Sequence, residues 1–248
     1  MTIVDAAILA TCAFAAGIVN AVAGGGTLIT FPALLSTGVP PVAANATNTV
    51  ALFPGQMAAS LAYASHIAEE RRRAIVLSVP SVIGGILGAV LLLWLPESAF
   101  KVAVPWLILF ACVVLALQTQ IKRIVSSAHH ANHPAALWIA QLLISVYGGY
   151  FGAGIGILML AAMGIMLPSS IQHANALKVL FSLLINGVAA VIFVAKGAVH
   201  APEAALMAVA SIAGGFVGTH LAKRLPPAGM RGFAIVVGLY AAVRMFLV

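Results

Sequence analysis

Two short stretches of this chain place polar side chains inside otherwise apolar sequence. Asn45 and Asn48 lie in "ANATNT" (44–49), and Asn175 and Lys178 lie in "ANALKV" (174–179). Within each pair the residues are three apart, so on a helix they share a face. An amide in apolar surroundings must find a hydrogen-bond partner, and a lysine there is expensive enough to be read as functional. Lys178 is the one basic residue of an apolar segment that lies away from the loops and the C-terminal turns. A cation flanked by amides is chemistry suited to holding an anion.

Each pair follows a glycine run. "AGGGT" (23–27) contributes Gly24, Gly25, Gly26 and Thr27, and "GAGIG" (152–156) contributes Gly154 and Gly156 beside Gly152. Such a run can break a helix and leave backbone N–H groups at the start of the next helix pointing toward a negative charge. Its other use is close packing of helices; for the asparagines the other use is interhelical hydrogen bonding. A short apolar piece begins directly after each run, which favours the break. Gly84, Gly85 and Gly88, with Gly214, Gly215 and Gly218, have small-xxx-small spacing inside full-length pieces and read as packing residues. Asn20, Thr47, Gln56 and Asn186 could line the same cavity or tie helices together.

The acids argue by position. Asp5, Glu69, Glu70, Glu97 and Glu203 are all terminal or in loops, so a carboxylate-based cation pump is not indicated. His173, next to the Asn175–Lys178 face, is a candidate proton acceptor near neutral pH. Intramembrane protease chemistry would need a membrane aspartate pair, a serine with a histidine base, or glutamate with metal ligands, and no such set is evident. His129, His130 and His133 fall in a polar loop at a spacing that matches no helical metal site. No enzyme activity, metal or cofactor is expected.

The elements that must carry these residues are dictated by composition. Of 248 residues, 63% are hydrophobic and 7% charged, and the mean hydropathy is +1.14. Soluble domains carry about 25% charged residues, and the apolar runs here are continuous rather than alternating. The expectation is an all-α, polytopic integral membrane protein, not a β-barrel. The net charge of +7 sits mostly in short loops, where it sets orientation and gives no reason to invoke nucleic acid. Cys12 and Cys112 lie in apolar segments and form no disulfide framework. The N-terminus lacks a basic n-region and reads as a first membrane helix.

Polar punctuation predicts apolar pieces at roughly 3–23, 26–39, 47–64, 74–95 and 100–118, then 136–152, 155–167, 174–195, 204–222 and 230–247. A shift of 130 residues, without a gap, superposes the two sets. It lays Gly24 on Gly154, Gly26 on Gly156, Asn45 on Asn175, Gly84 on Gly214, Gly88 on Gly218 and Pro96 on Pro226. Residues 1–118 and 135–248 therefore read as two transmembrane repeats joined by a polar linker, 119–134. The loop at 65–73 carries Arg71, Arg72 and Arg73, and its counterpart is poor in basic residues. In the next pair of loops the bias reverses, with Lys223, Arg224 and Arg231 in the second half. The halves are thus expected to be inverted, each with an odd number of crossings. Five crossing pieces per half meet that condition, and so does a half whose short piece pairs into a re-entrant hairpin; the expected count is eight full spans with two short or re-entrant helices, or ten segments. Inverted repeats with interrupted helices in matching positions point to a secondary transporter with a midplane site.

The stretches "AAGIVNAVAGGGTLITFPALLSTGVPPVAANATNTVA" and "YGGYFGAGIGILMLAAMGIMLPSSIQHANALKVL" resemble the sulfite exporter TauE/SafE family of bacterial membrane permeases, and the resemblance extends over nearly the whole chain. It implies a multi-pass protein of the bacterial plasma membrane that exports sulfite, sulfoacetate or a related organic anion. The residue reading also admits a passive anion channel or a non-transporting assembly component. Nothing in the chain encodes direction, and its GxxxG-type faces would permit a homodimer in the bilayer.

Overall fold

The computed structural model describes residues 1–22, 25–127, 134–167, 170–221 and 227–247. Among these residues there is no strand. The helices are α1 (Ile3–Val22), α2 (Thr27–Ser36), α3 (Pro41–Ala62), α4 (Ala64–Glu69), α5 (Arg71–Trp94), α6 (Glu97–Ala116), α7 (Gln118–Ser127), α8 (Pro134–Tyr150), α9 (Ile155–Met166), α10 (Ile171–Ala195), α11 (Ala201–Leu221) and α12 (Pro227–Phe246). Six of them, α1, α5, α6, α10, α11 and α12, are long and apolar enough to cross a membrane. With 10 and 12 residues, α2 and α9 reach only about 15–18 Å.

Several helices begin before the apolar runs do. Pro41 opens α3 at a first-turn position where its missing N–H is no loss. At α10 the Ser170 side chain accepts the His173 backbone N–H, an N-cap that starts the helix three residues before the apolar run. The three arginines expected in a loop instead form the first turn of α5, after the one-and-a-half turns of α4. The first part of the expected polar linker is helical too: α7 lies beside α9, with Ile121 packed on the core. His129, His130 and His133, with Lys223, Arg224 and Pro226, lie outside the described residues.

Helix packing follows the glycines. α1 packs along α11 and α8 along α5, and α3 and α10 lie against each other and against α11 and α5 respectively. A Cβ on Gly88 would stand 2.1 Å from the Val146 carbonyl oxygen, and one on Gly214 would stand 2.0 Å from that of Phe14. These backbones touch, as expected where small residues let helices approach. Gly215 differs: the space beside it is open. The outward faces carry large apolar side chains such as Ile75, Val191 and Phe216, each more than half exposed, the composition of a surface that faces lipid.

Each short helix doubles back on the helix before it. The residues after α2, Thr37, Gly38 and Val39, line one pocket with Met1 and Asp5 at the start of α1, and with His200 and Glu203 at the start of α11. Met163 and Leu167, at the end of α9, share a core cluster with Leu137 near the start of α8 and Ala74 near the start of α5.

Candidate functional site

Both glycine runs are helix breaks. Gly25 has φ of 95°, and Gly152 and Gly154 each have φ of 79°, backbone that a residue with a Cβ adopts only at a cost. Gly154 is the residue from which α9 starts. Gly24 lies outside the described residues. Gly156 is not in the break itself but in the first turn of α9.

The two breaks converge on one segment of α6. A Cβ on Gly25 would meet the Leu115 side chain, and one on Gly154 would lie 3.6 Å from Val114. Phe31 of α2 packs edge-on against Phe151 of the second break, with ring centroids 5.4 Å apart. Asn45 of α3 crosses between the halves: its amide donates to the Tyr150 carbonyl oxygen at 2.9 Å, at the end of α8.

The first break is tied by side chains of its own half. Asn20 accepts the Gly26 N–H at 2.8 Å, so one N–H freed by the run is already capped. Asn48 accepts the Thr30 hydroxyl and reaches the Thr27 hydroxyl at 3.4 Å. Asn45 and Asn48 are almost fully buried, at 1% and 2% exposure, and the Asn45 side-chain oxygen is a buried acceptor with no hydrogen-bond partner among the described residues. In this conformation the Asn45 N–H groups serve a backbone carbonyl, and Asn48 holds α3 to α2.

The second break has the same plan with a charge in place of the amide. Lys178 lays its aliphatic stem over the first turn of α9, where a Cβ on Gly156 would be 3.2 Å from its Cδ. Its ammonium donates to the Asn175 amide oxygen at 3.2 Å. Lys178 and Asn175 are half-buried. Tyr147 closes this break from inside, donating its hydroxyl to the Ala153 carbonyl oxygen at 2.6 Å. An ammonium beside the positive end of a helix is a like-signed pair, and an anion between them would be attracted by both.

His173 points elsewhere. Its Nε2 lies 2.6 Å from a Glu69 carboxylate oxygen, its Nδ1 is 2.9 Å from the Ser170 hydroxyl, and its ring is stacked edge-on near His66. The hydrogen bond from His173 holds the Glu69 carboxyl below the ordinary glutamate range. His173 ties α10 to α4. Glu70 pairs with Arg73 three residues on, whereas Glu69 pairs with His173.

The weaker candidates separate. Gln56 and Asn186 hydrogen-bond to each other at 3.0 Å, joining α3 to α10, and Thr47 accepts the His200 N–H, away from the breaks. Thr30 and Tyr147 belong to the site without having been picked out. Thr30 follows Thr27 by one helical turn, a spacing that could have flagged it. Nothing in the sequence marks Tyr147, whose counterpart at the 130-residue shift is Gly17.

Comparison with known proteins agrees with this picture of a helical membrane protein. Residues 9–245 match the family described as "Sulfite exporter TauE/SafE". A probable membrane transporter protein, ORF9, of a Sinorhizobium species is 26% identical over 240 residues, covering 96% of this chain and 91% of the relative. A probable membrane transporter protein of Haemophilus influenzae is 32% identical over 176 residues, covering 69% of each chain. The probable membrane transporter protein YfcA of Escherichia coli K12 is 26% identical over 219 residues, covering 86% of this chain and 77% of the relative. No solved structure matches. With a family match over nearly its whole length and a helical bundle built to cross a bilayer several times, the chain belongs to the TauE/SafE family of membrane transporters.

Proposed function

We propose that this protein is a secondary transporter that exports a small anion, sulfite or an organosulfonate, across the bacterial inner membrane. The observation that carries the reading is the placement of Lys178. Its stem lies on the first turn of α9 and its ammonium is held by Asn175, in the second of two glycine breaks that meet at α6. Gly154, Gly156, Asn175 and Lys178 form the anion-facing side. Gly25, Gly26, Thr27, Asn45 and Asn48 hold the first break and α3 in register with it. The family's description as a sulfite exporter supports the substrate class.

Alternating access between two inverted repeats is the mechanism we assign. Its support is the pairing of elements: α1 with α11 and α8 with α5 are the same pair of positions exchanged between halves by the 130-residue shift. Gln56 and Asn186, which that shift superposes, bond to each other, as residues on an axis between two repeats do. In this arrangement α1, although long and apolar enough to cross, returns through α2 as its counterpart α8 returns through α9, and α3 crosses as its counterpart α10 does, so that α3, α5 and α6 cross in one half as α10, α11 and α12 do in the other. Three crossings per half are odd, as inversion requires. Rocking one half against the other would expose the breaks to each side in turn.

The test is counterflow in proteoliposomes, with labelled sulfite outside and unlabelled sulfite, sulfoacetate, sulfate or chloride inside. Accelerated uptake by sulfite or sulfoacetate but not chloride, lost in Lys178→Ala with the folded protein still present, is the expected result. Flux without counterflow would replace the transporter by a channel. Undiminished sulfite exchange in Lys178→Ala would remove Lys178 from the site.

A further inference from the structure

A second feature lies apart from the breaks, on the outer surface where α3, α4, α5 and α10 meet. It is an open groove of about 550 Å³, lined by Ser60, Leu61, Ile67, Arg71, Ile75 and Leu180 among others, a volume within the range of about 300–1,000 Å³ typical of small-molecule sites. Its polarity runs along its length. Arg71 stands at the mouth, in the first turn of α5, and Ile75 and Ser78 follow one and two turns further along. Leu61 and Ile75 are 75% and 58% exposed, so the apolar part of the groove faces the hydrocarbon of the membrane.

The charges at the mouth are not balanced locally. Glu70 is held by Arg73 through both carboxylate oxygens, at 3.0 and 2.9 Å. Glu69 is held by His173. Arg71 and Arg72 are exposed, and among the described residues neither has an acidic partner. An uncompensated guanidinium group, that of Arg71, therefore lines an apolar channel, with the exposed charge of Arg72 next to it in the chain. Guanidinium groups bind phosphate in a bidentate manner, and basic residues at a membrane boundary attract anionic lipid.

We propose that this groove binds an anionic phospholipid, with its phosphate on Arg71, attracted also by the neighbouring charge of Arg72, and an acyl chain along Leu61, Ile75 and Leu180. The charge complementarity selects an anionic headgroup, and the apolar lining selects a lipid over a free phosphate. The bound chain bridges α3, α5 and α10, and Leu180 lies two residues from Lys178. The lipid thus stabilises the packing of the helices that carry the breaks. This site is independent of which anion is transported.

The test uses the full-length protein in detergent, with its melting temperature measured with phosphatidylglycerol, with phosphatidylcholine of the same chains, and with glycerol 3-phosphate. Phosphatidylglycerol is expected to raise the melting temperature by about 4 °C beyond phosphatidylcholine, and glycerol 3-phosphate to leave it unchanged. The excess should disappear in Arg71→Gln/Arg72→Gln. It should also disappear in Ala64→Trp, which fills the groove from an exposed lining position and keeps both arginines. Equal shifts with the two lipids overturn the proposal, as does an excess that persists in either variant or is reproduced by glycerol 3-phosphate. If the double variant does not fold, the wild-type comparison and Ala64→Trp decide the matter.

Discussion

The two helix breaks occupy equivalent places and are secured differently. At the first, Asn20 caps Gly26, and Asn48 engages Thr27 and Thr30, so the start of α2 is closed by neutral groups. At the second, Tyr147 and Asn45 tie down the end of α8, while the residue equivalent to Asn48 is Lys178, lying on α9. The same geometry with an amide is a structural joint; with an ammonium it attracts negative charge. In the function proposed, one copy of the frame holds the protein together while the other takes on binding.

Substitution at Lys178 tests that contrast most severely. Lys178→Asn gives the second break the side chain of the first. Because hydrogen bonds to charged groups are worth about 1.5–3 kcal/mol, anion affinity should fall about 10- to 100-fold. Ligand-induced thermal shifts with sulfite measure this directly, and an unchanged affinity would dissolve the distinction between the breaks.

The packing helices allow a second comparison. Gly88→Ala drives a Cβ into the Val146 carbonyl and should destabilise by about 1–3 kcal/mol. Gly215→Ala has open space and should stay within about 0.5 kcal/mol of wild type. Melts of the two variants in one detergent settle it; equal losses would mean that close approach is not what Gly88 provides.

Within the breaks, Gly154→Ala should cost about 1–2 kcal/mol, because its φ of 79° is left-handed. Gly26→Ala fails for another reason. Its φ of −57° suits any residue, but the Cβ would sit 2.6 Å from the Asn20 amide nitrogen and displace that cap. Combining Gly26→Ala with Asn20→Ala should therefore add little to the roughly 1 kcal/mol lost by Asn20→Ala alone. A double-mutant cycle by thermal melting reads the coupling.

The smallest effect is expected at the tie between α4 and α10. The folded Glu69 carboxyl is held below its ordinary value by the hydrogen bond from His173. Its contribution is present above the unfolded glutamate range and is lost as pH falls through the folded value. Glu69→Gln should therefore lower stability slightly at neutral pH and match wild type in acid. Paired melts at the two pH values check the sign; a deficit that grew in acid would contradict it.

Continuous apolar runs and scarce charge dictated a helical membrane bundle, because only helices satisfy the backbone within such segments. The glycine runs marked where helices must stop, because a left-handed turn excludes a Cβ, and the 130-residue recurrence marked which elements are equivalent. Those properties reside in residue type and spacing, so the chain alone determined them. The destinations of the side chains were decided by tertiary structure. Asn45 reaches a carbonyl 105 residues away, His173 turns to a glutamate 104 residues away, and Tyr147 joins the site although its counterpart is a glycine. Partners so distant in sequence are chosen by which helices pack together, and no local pattern records that choice.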